Sequence, residues 1–215
     1  LRREGWNVHL LDMFDYTWGD VMECVNAGAQ DIVGITAITG THLIVRELAS
    51  LFKSRKNPPI VIIGGPHATH LHKQIAFHYP VDYVVRGEGE DTLKEVVRCL
   101  SHGGSIEKIR GVTYKKNGSL VVTPDRSLIT DLDDLPFPDY SDLDLHRYLP
   151  YMDNAGIVPG IIDRGTYALP LLGTRGCPYS CSYCSCPLLW KRKVRYRTPS
   201  HIIGEIEAHV RKGIR

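Results

Sequence analysis

Pro58-Pro-Ile-Val-Ile-Ile-Gly-Gly-Pro66 decides the fold. Four apolar residues, Ile60 to Ile63, stand in a row and stop at a Gly-Gly-Pro break. The run is too short for a buried helix, and it does not alternate. It therefore predicts a strand covered on both faces, the usual condition of a parallel sheet. Two similar runs flank it: Asp31-Ile-Val-Gly-Ile-Thr36 and Val81-Asp-Tyr-Val-Val85. Helical spacing fills the gaps, with Leu43, Ile44, Leu48, Leu51 and Phe52 before the run and a weaker pattern over 70–79 after it. Leu93, Val96, Val97 and Leu100 predict a further helix ending at Gly103-Gly104, and Val21, Met22 and Val25 predict an early one over about 19–28. Residues 6–12 read as another short strand. Strands alternating with amphipathic helices predict a parallel sheet with helices on both faces.

Ligands of such sheets bind beyond the carboxyl ends of the strands. Three loops lie there: Thr36–Thr41, Gly64–Thr69 and Arg86–Glu90. Each offers glycine or small hydroxyl residues, which let a large ligand approach the backbone. Asn117-Gly118, between two β-rich runs over 111–123, predicts a hairpin. From 124 to 168 prolines and aspartates replace periodic patterns, and this stretch reads as a connection. A new unit begins at 169. Tyr167–Leu172 reads as a strand, and Thr198-Pro199 caps a helix with Ile202, Ile203, Ile206 and Val210 on one face. Strand, long loop and helix are expected to open a (β/α) barrel, whose sites lie on the loops after the strands.

That long loop carries the strongest chemical signal: Cys177-Pro-Tyr-Ser-Cys181-Ser-Tyr-Cys184, a C-x3-C-x2-C spacing. Three thiolates hold three irons of a [4Fe–4S] cluster and leave the fourth iron open. Zinc sites usually use four ligands in two pairs, and Cys186 as a fourth ligand would strain a tetrahedral chelate. Cys186 reads as a bystander, and Cys24 and Cys99 as small buried apolar residues. Gly176 permits a tight turn before the first cysteine, and Arg175 supports the loop, balances cluster charge or sits on the surface. The Lys191–Arg197 run carries five positive charges and reads first as a solvated face.

The cysteine spacing, with Tyr183 before the last thiol, resembles the signature of the radical S-adenosylmethionine (SAM) enzymes. Asp31–Thr36, Ile60–His67, Val81–Leu93, Asp134-Leu-Pro-Phe-Pro-Asp-Tyr140 and Arg197–Glu205 resemble the group of those enzymes that carries a cobalamin (B12)-binding domain. The resemblance covers nearly the whole chain. It implies a flavodoxin-like (Rossmann-like), α/β cobalamin-binding domain over 1–123, a linker over 124–168, and the start of a radical SAM (β/α) barrel over 169–215. It implies that Cys177, Cys181 and Cys184 hold the cluster and that Tyr183 packs by the adenine of SAM. It places Thr36, Thr39, Gly64, Gly65 and Gly87 around cobalamin. No D-x-H-x-x-G cobalt-ligating run occurs, since Asp144-Leu-His146 meets Leu149 where glycine belongs. His67 and His70 are further contacts that the loops offer.

The implied activity is reductive cleavage of SAM for methyl transfer or oxidative ring formation on a small-molecule substrate. A flavodoxin or ferredoxin would supply the electron. The alternatives are a non-catalytic iron–sulfur or zinc module, and a radical enzyme whose cobalamin domain is vestigial. Net charge is +2, so no general pull towards nucleic acid is expected. No apolar run approaches a membrane span. Clustered thiolates need a reducing compartment, and the cytoplasm is expected. Residues 6–12 resemble the second strand of the cobalamin domain, with Leu1–Gly5 the end of a helix before it. The expectation is therefore a fragment of a protein about twice as long or more, prone to aggregate when expressed alone.

Overall fold

The computed structural model describes residues 1–14, 16–148 and 169–213. It divides into two compact units: residues 15–129 with 178–192, and residues 1–14 with 130–177 and 193–215.

The first of these units is built on a five-stranded sheet. Strands β1 (Ile32–Thr36), β2 (Ile60–Gly64) and β3 (Tyr83–Val85) run parallel in that order. The hairpin β4 (Val112–Lys116) and β5 (Ser119–Val122) extends the same sheet antiparallel to β3. Val61, Ile62 and Ile63 are all buried, so both faces of β2 are covered, as its unbroken apolar run requires. Ile62 shares a cluster with Val85, Val96, Ile109, Val112 and Tyr114. The hairpin turn sets Asn117 at φ 49° and Gly118 at φ 79°, the left-handed pair that matches strand twist.

Helix α1 (Trp18–Ala27) starts with a full capping box, in which Thr17 and Asp20 satisfy each other's backbone N–H groups. Helix α2 (His42–Lys53) buries Val45, Leu48, Ala49 and Phe52, positions i, i+3, i+4 and i+7. Helix α5 (Gly89–His102) buries Thr92, Val96 and Val97. The segment expected as one weak helix over 70–79 is two. Helix α3 (Pro66–His70) opens on Pro66, whose missing N–H costs nothing in the first turn. Leu71, at φ −112° and ψ 28°, separates it from α4 (His72–His78). Helix α6 (Cys186–Trp190) packs against α3 within this unit.

The second unit corrects two expectations. Residues 6–12 form no strand. Their backbone groups are taken by side chains: Arg2 Nε donates to Val8 O at 3.1 Å, and Leu10 N donates to Asp142 Oδ2 at 2.6 Å. Ahead of them, Arg2–Glu4 is a single 3-10 turn that ends at Gly5 with φ 82°. The expected strand Tyr167–Leu172 is absent over 169–172, and its first two residues lie outside the described ones. A two-residue strand β6 (Thr174–Arg175) appears instead, paired antiparallel with β7 (Arg195–Tyr196). The reason is again a side chain, because the carbonyl of Leu172 accepts from Arg197 Nη1 at 3.0 Å.

Helix α7 (Pro199–Arg211) is capped by Thr198 as the sequence indicates. Its Ile203, Ile206 and Val210 are exposed, whereas Glu205 and His209 are buried. The side turned inward is thus the polar one.

Candidate functional site

The carboxyl ends of β1, β2 and β3 carry the three loops named from the sequence, and hydrogen bonds lace them together. Ala37 N donates to Gly64 O at 2.8 Å, and His67 N donates to Ala37 O at 3.1 Å. Thr69 is the link between the other two: its Oγ1 donates to Gly65 O at 3.0 Å and accepts from Gly87 N at 3.0 Å. Sequence reasoning passed over Thr69, although a threonine four residues after Gly65 is well placed to bond back to it.

The five residues expected around cobalamin all reach this edge. Thr36 closes β1, and Thr39 opens the short turn before α2; both are exposed. Gly64 closes β2, where an added Cβ would meet nothing nearer than 3.9 Å. Gly87, at φ 72°, has open space around its absent side chain. Gly65 differs. At φ 95° its missing Cβ would lie 2.8 Å from Ala37 O and from Thr36 Oγ1, so its glycine is demanded by the neighbouring loop itself. Small residues facing open space on two loops, and hydroxyls on a third, fit the tail of a large cofactor.

Histidines enrich the same edge. His67 is buried, and its Nδ1 lies 3.2 Å from Thr39 Oγ1. Its ring stands 5.0 Å from that of His42, whose Nδ1 is 2.8 Å from Thr39 O. Burial first, then the neighbouring charges of His42 and His70, push the His67 pKa below its ordinary value. Burial thus favours the neutral imidazole of His67. His70 Nε2 is buried without a hydrogen-bond partner.

The charged residues of Arg86-Gly-Glu88 turn away from this role. Arg86 is ion-paired with Asp125 and donates to Thr123 O, while Glu88 Oε2 accepts from Ile129 N at 2.7 Å. They tie down the chain after the hairpin.

The three motif cysteines are all free thiols. Cys177 belongs to one unit, Cys181 and Cys184 to the other. Cys181 is exposed and the other two half-buried. Cys184 N donates to Cys181 O at 3.1 Å, forming a tight turn, and Cys186 N points at Cys184 Sγ at 3.4 Å. That last contact, an amide aimed at sulfur, is the kind that stabilises a ligating thiolate. Cys186 thus contributes its backbone. Among the described residues no three His, Cys, Asp or Glu side chains are arranged to hold a metal ion. The donor set fits an iron–sulfur cluster by chemistry and spacing. Gly176, at φ 115°, passes so close to Lys193 that a Cβ would lie 1.9 Å from its carbonyl oxygen. Tyr183 is 91% exposed and so available to a ligand.

The sequence and the fold both have known relatives. Residues 1–97 match the B12 binding domain family. An uncharacterized methyltransferase of Pyrococcus horikoshii is 33% identical over 217 residues, covering 99% of this chain and 44% of the relative. The anaerobic magnesium-protoporphyrin IX monomethyl ester cyclase of Rubrivivax gelatinosus is 32% identical over 92% of this chain and 34% of its own length. The chain thus spans less than half the length of these relatives. Among solved structures, the radical SAM methyltransferase TsrM from Kitasatospora setae, with cobalamin and a [4Fe-4S] cluster bound, superposes with a TM-score of 0.69. The match is 19% identical and covers 99% of this chain and 41% of TsrM. By domain, by sequence and by fold, the chain belongs to the B12-binding-domain-containing radical SAM superfamily.

Proposed function

We propose that the protein is a cobalamin-dependent radical SAM enzyme. The observation that carries this reading is one chain joining a B12 binding domain to C-x3-C-x2-C, which leaves one iron of a cubane without a protein ligand. When bound, that cluster supplies the electron that splits SAM into methionine and a 5′-deoxyadenosyl radical, and cobalamin supplies a carrier for methyl or radical chemistry.

The chain's own residues then have defined tasks. Cys177, Cys181 and Cys184 anchor three irons, and the Cys186 amide supports the Cys184 sulfur. Tyr183 stands ready to cover the adenine. Thr36 and Thr39 offer hydroxyls to the cobalamin tail, and Gly64 and Gly87 leave it room, with Gly65 keeping two of the loops in register. The substrate is a small molecule, and a flavodoxin or ferredoxin in the reducing cytoplasm donates the electron. No helix among the described residues is long and apolar enough to cross a membrane.

The test is anaerobic reconstitution of the full-length protein with iron, sulfide and hydroxocobalamin. Dithionite-dependent 5′-deoxyadenosine formation is expected, together with corrin that survives desalting. A rate no higher than that of Cys181→Ala would reject the radical step. Full activity without retained corrin would reject the cobalamin part.

A further inference from the structure

In the unit that holds Cys177, one guanidinium is tied to the chain just before that cysteine. Arg197 Nη1 donates to Leu172 O at 3.0 Å, and Arg197 N donates to Gly173 O at 3.0 Å. Two successive carbonyls are thus held by one residue, immediately ahead of β6 and of Cys177. The rest of the fork is anchored too. Nε reaches His201 Nδ1 at 3.0 Å, Nη1 is ion-paired with Glu205, and the guanidinium lies over the Phe137 ring at 5.9 Å.

Both partners of the ion pair are withdrawn from water, Arg197 with 9% of its side chain exposed and Glu205 with 1%. His209 Nε2 stands 3.7 Å from Glu205. Asp133 closes the network. It accepts from Thr198 Oγ1 at 2.6 Å and lies 3.1 Å from His201 Nδ1. A buried pair of charges is weak evidence for stability, because apolar residues of similar volume often serve as well. A specific geometric task explains better why charges stand here.

We propose that Arg197, held by Glu205, His201 and Phe137, is a positioning residue that fixes the path of residues 172–175 and so sets where Cys177 presents its sulfur to the cluster. This rests on the cluster reading above. Arginine suits the task because its planar fork serves several acceptors at once, which a lysine ammonium on a flexible stem does not. It also explains an inward-facing Glu205 on a helix whose Ile203 and Ile206 are exposed.

Two variants of the full-length protein test this. Arg197→Lys keeps a cation for Glu205 and loses the fork. The double variant Arg197→Met with Glu205→Met removes both charges at similar volume and also loses the fork. Hydrogen exchange read by mass spectrometry, with or without a cluster, is expected to speed up about tenfold or more at residues 174–177 and not at 60–64. The paramagnetic resonance of the reduced, loaded cluster is expected to broaden in both variants while the thermal melt of the double variant stays cooperative. Parental exchange and parental line shape in either variant would overturn the proposal, as would loss of cooperative melting in both. A wild-type protein that takes up no cluster would defeat the functional reading instead, and the exchange comparison would still judge Arg197.

Discussion

At the scale of single residues, two glycines that look alike in the sequence, Gly65 and Gly87, do different work. Gly65→Ala would set a Cβ 2.8 Å from two oxygens at φ 95°. We expect it to destabilise the sheet unit by about 2 kcal/mol or more in urea unfolding, combining strain and clash. Gly87→Ala meets no atom within 4 Å and carries only the left-handed cost, about 1 kcal/mol. Corrin retention should therefore drop in Gly87→Ala far more than its stability does. A variant that keeps full corrin would remove Gly87 from the cofactor site. His67 gives a pH signature. Its pKa is lowered by burial, so the unfolded chain takes the proton more readily than the fold. The stability it contributes is complete above the ordinary histidine value, about 6.5, and is lost as pH falls from there towards the depressed folded value. His67→Gln should flatten that part of a urea-midpoint profile between pH 7 and pH 5. An unchanged slope would show that His67 is not the group responsible.

At the scale of elements, what the sequence made legible was whatever local patterning controls. The run Ile60–Ile63, the i, i+3, i+4 spacing of α2 and the Asn117-Gly118 turn each carry their own structural instruction, and each element stands where it was expected. Residues 6–12 and 169–172 had strand-like composition without the partners a strand needs, and side chains outside them, Arg2, Asp142 and Arg197, took their backbone groups. No pattern within either segment reveals that competition. Helix α7 stands where it was expected, and the Arg197–Glu205 pair that fills its inward face was not legible from the isoleucine spacing. The start of α7 also depends on Asp133, whose carboxyl is held below its usual range mainly by the Thr198 hydroxyl, against some desolvation. A depressed carboxylate stabilises the fold above its unfolded pKa and stops doing so as pH falls through the folded value. The region around α7 should therefore loosen below about pH 4, seen as faster proteolysis there. Asp133→Asn should be loosened already at pH 7, with no further change on acidification. Thr198→Ala, which removes the cap, should cost about 1 kcal/mol in unfolding free energy.

At the scale of the whole molecule, the site was legible as a list of residues but not as a shape. The cysteine spacing named its own ligands because few other chemistries use three thiols so placed. The order of β1, β2 and β3 put three small-residue loops on one edge, as the topology of parallel sheets demands. The threonine and histidine lacing of those loops escaped notice, since Thr69, His67 and Thr39 become neighbours only after folding. The measurement that bears most directly on the account is the paramagnetic resonance of the reduced, full-length protein, recorded with and without SAM in the absence of oxygen. The account predicts a [4Fe–4S] signal whose shape shifts when SAM binds the unligated iron. A signal indifferent to SAM, or a colourless protein holding one zinc per chain, would contradict it.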